Sequence, residues 1–367
     1  MADCARPVQN RHGYGPKGGD AWMDTRSHLD PVERIYDART RGVCLIGTAA
    51  GARMHLHAGC WVTPVAGAPP RVLVAFPKEF EGADLARRGG AFSVSLPARD
   101  QKDLNAALFA GRHSLDALGR ERFLRAPSGC PVLRDGVGYL DCQADEFVDL
   151  GDFLLAVGDL RAAATLHPEK EALTVNEIQQ EARSDARAVL PLAAFEDDGA
   201  GLAPAPVDGA DAGALLAVHG HRPWGRFLVS AAWEGRAHLH VNAWAIQCSH
   251  EPPRLLVCID RRSPAADLVG ASGRFALSLL ATDQWSLAET LQARAATPQT
   301  LEALAALAGT LGVYLRQVGG LPVLEDAVAH FVCRSEGTFG SGANHVGFYG
   351  PVVACDWGRH PADHPPG

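Results

Sequence analysis

The stretch Arg53–Phe80, RMHLHAGCWVTPVAGAPPRVLVAFPKEF, recurs as Arg236–Ser263, RAHLHVNAWAIQCSHEPPRLLVCIDRRS, 183 positions later. The register runs without a gap from Gly42–Gln101 onto Gly225–Gln284, and 23 of those 60 positions are identical. An internal repeat of this length requires two folding units of one kind, so residues are best read in pairs: what both copies keep, and where they part.

Each copy presents short β-branched and apolar runs separated by Gly and Pro, which is the signature of strands. In the first these are GVCLIGTAA, RMHLHAGCWV, RVLVAFP and AFSVSLP; in the second, GRFLVSAAW, RAHLHVNAWAI, RLLVCID and FALSLLA. A brief helix falls at EGADLARRGG and again at AADLVGAS, and further helices are expected at DQKDLNAALFAGR, SLAETLQARA and in the segment LDPVERIYDARTRG from Leu29. GVGYLDCQADEFVDL and FLLAVGDLRAAAT read as a hairpin. About six strands with one or two small helices per copy predict an antiparallel barrel, so the chain is expected to be mainly β, two tandem barrels in one chain. The expected divisions are an N-terminal arm (1–30), repeat 1 (31–196), a Gly/Ala/Pro/Asp-rich linker (197–222), repeat 2 (223–358) and a tail (359–367).

With 47% apolar and 21% charged residues, a net charge of −8 and no basic block, nucleic acid and anionic membrane are poor partners for this chain. It has no apolar window of the length that spans a bilayer, and the N-terminus lacks the apolar core of a signal peptide. The nine cysteines form no metal-finger spacing. Cys44, Cys142, Cys258 and Cys333 fall in apolar strand runs, as reduced core cysteines do, which predicts a cytoplasmic protein. Fifteen histidines is a high count.

The order of motifs resembles the flavin reductase-like family of FMN-binding split barrels. Copy 2 supplies Asn242-Ala-Trp244, Ser249, Pro252-Pro253, Arg261-Arg262-Ser263, Gly273-Arg-Phe275, Leu321-Pro322-Val-Leu324 and Asn344-His345. Copy 1 supplies Trp61, Pro69-Pro70, Gly90-Ala-Phe92, Cys130-Pro131-Val-Leu133 and Gly151-Asp152. The resemblance spans about residues 40–170 and 224–356. That family works as a homodimer with flavin between subunits, so a tandem member would be a pseudo-dimer whose two grooves are free to differ.

On this resemblance the turn after the Pro-Pro strand holds the FMN phosphate, which needs Arg and hydroxyl donors. Copy 2 has Arg261, Arg262 and Ser263 there, with Ala265 where a second hydroxyl is expected; copy 1 has Lys78, Glu79, Phe80 and Glu81, whose carboxylates repel phosphate. A solvated basic turn would carry the same residues as copy 2. The preceding loop is Gln247-Cys248-Ser249-His250 in copy 2 and the apolar Pro64-Val65-Ala66-Gly67 in copy 1. The implied cofactor-binding set is therefore Asn242, Trp244, Cys248, Ser249, Arg261, Arg262 and Ser263. His345 matches the histidine of the family's Gly-Asp-His, with a role in orienting NAD(P)H or donating a proton; copy 1 has Phe153 there. His345 and His240 are the candidate catalytic residues.

The two His-Leu-His segments depart from the family. Alternate residues on a strand share a face, so His238, His240, Asn242 and Trp244 point one way. Paired histidines at this spacing occur in strand-borne metal sites, which then need a third ligand; they also line pockets or interfaces. The functional expectation is a flavin reductase-type oxidoreductase, with FMN or FAD held mainly by repeat 2 and reduced by NAD(P)H. The reduced flavin would go to a monooxygenase or act on a small-molecule substrate. The alternatives are a barrel recruited to hold a metal ion or haem through His55, His57, His238 and His240, and a non-catalytic ligand-binding protein.

Overall fold

The structure, a computed structural model, describes residues 41–101, 104, 114–175, 177, 195–197, 199–222, 225–340 and 342–358. The expected N-terminal arm, the helix from Leu29, the tail and nearly all of the helix after Asp100 lie outside the described residues.

Repeat 1 runs β1 (Cys44–Ala50), β2 (Arg53–Gly59), β3 (Val62–Gly67), β4 (Pro70–Pro77), α1 (Glu81–Gly89), β5 (Ala91–Leu96), β6 (Gly138–Asp149) and β7 (Phe153–Thr165). After a connecting helix α2 (Ala212–His219), repeat 2 runs β8 (Phe227–Trp233), β9 (Arg236–Asn242), β10 (Ala245–His250), β11 (Pro253–Asp260), α3 (Pro264–Ser272), β12 (Arg274–Leu279), β13 (Ala329–Arg334) and β14 (His345–Trp357). The strand order is β2-β1-β5-β6-β7-β4-β3 in the first sheet and β9-β8-β12-β13-β14-β11-β10 in the second, the same path through equivalent strands. The chain is thus two tandem split β-barrels.

Local chemistry explains the shared elements. The β8–β9 hairpin turns at Glu234-Gly235, where both residues have positive φ (48° and 76°), as a tight hairpin turn matching strand twist requires. Helices α1 and α3 both stop on a left-handed glycine, Gly90 and Gly273, each at φ 63°. They differ at the start. Ser263 caps α3 by accepting the Ala265 N–H, ahead of Pro264 in the first turn, whereas Phe80 at the same place has no side chain able to cap α1.

Period-two alternation places the apolar strands between two cores. On β4, Val72, Val74 and Phe76 point into the repeat 1 barrel, while Leu73 and Ala75 point to the seam between repeats. On β11, Leu255, Val257 and Ile259 fill the repeat 2 barrel, and Leu256 and Cys258 meet Leu73 and Ala75 in the seam. Strands buried on both faces have to be apolar throughout, which is why RVLVAFP and RLLVCID look as they do. The described cysteines are all free thiols, and Cys44, Cys142, Cys258 and Cys333 are core residues as expected.

The connection between repeats is tied down along repeat 1. Tyr139 Oη donates to the Pro206 carbonyl (2.6 Å), and Asp208 accepts the Thr165 N–H (2.8 Å). At its end Arg222 is buried, donating to the carbonyls of Gly42, Cys60 and Val62. A helix over Leu301–Thr310, capped by Thr300, is an element the strand-and-turn reading does not single out. It packs with Trp285–Arg294 over the outer face of β8 and β9, beyond the aligned part of the repeat. Of the arginines that open the two His-Leu-His strands, Arg53 pairs with Glu81 (2.8 Å), and Arg236 donates to the Pro298 carbonyl (2.6 Å).

Candidate functional site

Each repeat sets a tryptophan against the ring that opens its last strand. Trp61 lies 4.7 Å from Phe153 between ring centres, with 42° between planes; Trp244 lies 4.7 Å from His345, at 46°. Each pair is approached by a loop of the other repeat, held by one side chain. Asp152 accepts from Ser249 Oγ (2.7 Å), the His250 N–H (2.7 Å) and the Glu251 N–H (3.0 Å). Asn344 Oδ1 accepts from the N–H groups of Gly67 and Ala68, both at 3.1 Å, and the Asn344 N–H donates to the Ala68 carbonyl. Gly67 and Ala68 stand 183 positions before His250 and Glu251, so the two loops are dyad mates.

The grooves part at the loop that faces each ring pair, as well as at the ring that opens each last strand. The His250 ring packs 4.6 Å from Trp61 and 5.5 Å from Phe153, and both of those rings are buried. Its mate Gly67 has no side chain, and a Cβ built there meets nothing within 4 Å. Trp244 and His345 are left half-buried. The repeat 2 ring pair therefore keeps an accessible face, and the repeat 1 ring pair is capped by a ring.

Around His345 the titratable groups converge. It stands across the ladder from Asp260, and its Nδ1 lies 2.9 Å from Asn344 Oδ1. Burial lowers its pKa; Asp260 opposes that and Arg262 reinforces it. His240 feels the same cluster: burial, then His238 and His345, push it down to about 4. Arg262, with 87% of its side chain exposed, reaches back to Asp260 through Nε (3.0 Å) and Nη2 (2.6 Å) and holds that carboxyl down to about 2.

The loop carrying His345 is braced from both repeats. Arg261 donates from Nε to the Ala343 carbonyl and from Nη2 to the Gly340 carbonyl, both at 2.9 Å. The Gly340 N–H donates to Glu146 of repeat 1 (3.0 Å), itself 3.4 Å from Arg71.

The structure thus brings Trp244, His345, His240, Asp260, Arg261, Arg262 and Ser263 to one end of repeat 2. Arg261 braces that loop with two of its donors, Arg262 is turned to Asp260, and Ser263 caps α3. Asn242 is buried with both ends of its amide spent, Nδ2 on the Cys258 carbonyl and Oδ1 on the Trp244 N–H, both at 2.6 Å; it sets Trp244 in place. Cys248 and Ser249 are not brought to this cluster. Both are fully buried in the seam, and Ser249 faces Asp152, about 16 Å along β10 from Trp244 at the usual rise per residue.

In repeat 1, Lys78 is paired with Asp149 (2.9 Å), and Phe80 lies against the His pair, 6.3 Å from His55 and 5.8 Å from His57. His55 and His57 are buried with ring centres 5.3 Å apart, and their four nitrogens have no hydrogen-bond partner among the described residues. Burial pushes His55 down to about 4 and His57 well below its ordinary value. No three His, Cys, Asp or Glu side chains converge as a metal site would need, among the described residues. What sequence reasoning left out are Glu146, Asp260, the open space at Gly67 and the loop-capping roles of Asp152 and Asn344. The 183-residue spacing pairs Gly67 with His250, but a glycine opposite a histidine reads as a loss of polarity until the ring it lacks is seen closing the other groove.

Comparison with known proteins agrees with this architecture. The family described as "Flavin reductase like domain" matches residues 37–181 and 220–366. A diflavin flavoprotein of Synechocystis sp. is 26% identical over 145 residues, covering 37% of this chain and 24% of that protein. The NADH-dependent flavin reductase StyB of Pseudomonas fluorescens is 32% identical over 104 residues, covering 28% of this chain and 58% of that one. The matched part thus spans about a quarter to somewhat over half of these relatives' own lengths. Among solved structures, BorF, the flavin reductase component of a bacterial two-component tryptophan halogenase, is 25% identical with a TM-score of 0.37, covering 46% of this chain and 99% of that one.

Proposed function

The chain belongs to the flavin reductase like domain family through both of its repeats, and from that membership we propose that it is a flavin-dependent oxidoreductase with one working groove, at Trp244 and His345. The observation that carries this reading is the asymmetry at one dyad-related position: His250 caps Trp61 and Phe153, whereas Gly67 leaves Trp244 and His345 accessible.

The residues present fit a flavin at the second groove and not at the first. A phosphate suits the turn before α3, where the Ser263 hydroxyl and the exposed Arg262 guanidinium meet the positive end of a helix. Arg262 would exchange Asp260 for the ligand. At the corresponding turn of repeat 1 the lysine is committed to Asp149, and Phe80 replaces the hydroxyl. FMN or FAD would lie with its ring system toward Trp244 and the Gly67–Ala68 loop, so both repeats contribute to one site.

A bound flavin supplies the hydride-accepting and hydride-donating chemistry. The chain's own part is placement. Trp244, fixed by Asn242, offers a flat face. His345, on a loop braced by Arg261 and Glu146, orients the second ligand, reduced nicotinamide dinucleotide; StyB's description as NADH-dependent supports NADH. The seam shields one side from water, and the half-buried face lets flavin exchange, which suits delivery of reduced flavin to a separate monooxygenase. The test is flavin-dependent NADH oxidation by the purified full chain. Turnover that rises with added FMN or FAD supports the reading. A chain that binds neither flavin and consumes no NADH sinks it.

A further inference from the structure

The family pattern has an aspartate before its histidine, and repeat 1 keeps one as Asp152; repeat 2 has Asn344. The two side chains do the same work across the seam, holding the other repeat's loop through two backbone N–H groups. What differs is the charge, and it differs beside His345.

Asn344 Oδ1 receives the Gly67 and Ala68 N–H groups at 3.1 Å each and lies 2.9 Å from His345 Nδ1. Two backbone donors identify that atom as the carbonyl oxygen, which only accepts. The His345 contact is therefore an Nδ1–H donating to Oδ1, and in a neutral ring the lone pair is then on Nε2. We infer that Asn344 is a positioning residue that holds His345 as its Nδ1–H tautomer, so that the groove meets its ligand with a bare Nε2 and selects a planar N–H donor, a carboxamide or a ring imide.

The surroundings agree. Asp260 on β11 faces His345 but is engaged by Arg262; His240 on β9 is kept neutral by burial; Trp244, just before β10, and the Gly67–Ala68 loop carry no charge. Burial lowers the pKa of His345 itself. A carboxylate at 344 would keep both loop bonds, as Asp152 shows, and would draw a second proton onto the ring.

The ligand side of this inference rests on the groove being the flavin and nicotinamide site; the tautomer does not, and the test separates them. In the full chain labelled with 15N-histidine, His345 is assigned by difference against His345→Gln. The expected result is a protonated Nδ1 and an unprotonated Nε2 at neutral pH, measured without any ligand. A protonated Nε2 overturns the inference, whatever the chain's activity. FMN and nicotinamide are then titrated separately, and the one that moves the Nε2 resonance identifies the donor as imide or carboxamide; no movement with either overturns the acceptor role. In Asn344→Asp the His345 pKa should rise by about one unit or more, and the KM for NADH should rise with it at neutral pH and recover at higher pH. The added charge alone raises the pKa, so a His345 that takes no part in binding NADH would leave the KM and its pH profile unmoved. Should that variant fail to fold, the wild-type tautomer still decides.

Discussion

The His250 ring centre lies 4.6 Å from that of Trp61, and the dyad mate of His250 is Gly67. One histidine side chain covers the first ring pair, and the second has no counterpart to it.

Gly67→His should therefore close the second groove as His250 closes the first. A Cβ at position 67 meets no atom within 4 Å, so the fold should tolerate the change. Flavin-dependent NADH oxidation is expected to fall at least about tenfold, a loss of about 1.4 kcal/mol or more in ligand stabilisation, with the melting temperature within a few degrees of the parent. Unchanged turnover in a folded Gly67→His chain would remove the asymmetry as an argument for function.

Arg262 and Ser263 should matter to a phosphate and not to a flavin that lacks one. Arg262→Ala is expected to weaken FMN by about 10- to 100-fold, from the loss of charge-assisted bonds of about 1.5–3 kcal/mol, and to leave riboflavin affinity nearly unchanged. Ser263→Ala should do less to FMN but also cost about 1 kcal/mol of stability, because its hydroxyl caps α3. Titrating FMN and riboflavin in parallel separates these effects; equal losses for both ligands would place the phosphate elsewhere.

Arg222 is predicted to be a stability residue. It is buried and donates to the carbonyls of Gly42, Cys60 and Val62, joining the end of the connection to the first strands of repeat 1. Arg222→Met keeps the apolar stem and strands those acceptors, at about 1–3 kcal/mol for each buried group left unpaired. Urea denaturation should show a loss of about 3 kcal/mol, and a loss below about 0.5 kcal/mol would mean that water reaches the carbonyls.

Acid should unfold this chain through its buried histidines. His55, His240 and His330 are each pushed down to about 4, against 6.5 for a free imidazole, with burial the leading cause in all three. The unfolded chain takes up protons first, so stability that is full above pH 6.5 declines as pH falls, by about 3 kcal/mol per such histidine near pH 4. Urea midpoints measured between pH 7.5 and 4.5 should fall steadily. Replacing His55 and His57 by apolar residues should flatten the decline, and an unchanged slope would assign it to other groups.

Much of the fold was legible because the repeat is long and its strand-to-turn punctuation survives in both copies. RVLVAFP and RLLVCID announce doubly buried strands, and Gly90 and Gly273 announce helix ends. The Leu301–Thr310 helix was not singled out because it is alanine-rich and outside the aligned repeat. The Arg261-Arg262-Ser263 turn stood out by its residue chemistry, and the structure sets Arg261 against the Gly340 and Ala343 carbonyls and Arg262 against Asp260. Cys248 and Ser249 illustrate what a linear reading misses. They follow Trp244 by a few residues, yet the strand carries them to the far side of the seam, where Ser249 serves Asp152 of the other repeat. Contacts exchanged across a dyad join residues that sequence proximity separates.

The connection through residues 199–222, bound along repeat 1 and closed by Arg222, has a consequence for how the groove survives dilution. A site shared between two separate subunits dissolves as its concentration drops below the dissociation constant of the pair. Here the two halves belong to one molecule, so the encounter of Asn344 with Gly67 is set by the tether at a fixed effective molarity and is the same at nanomolar and millimolar protein. Weak seam bonds are then enough to keep a groove assembled, and each loop can drift in sequence without having to match a copy of itself.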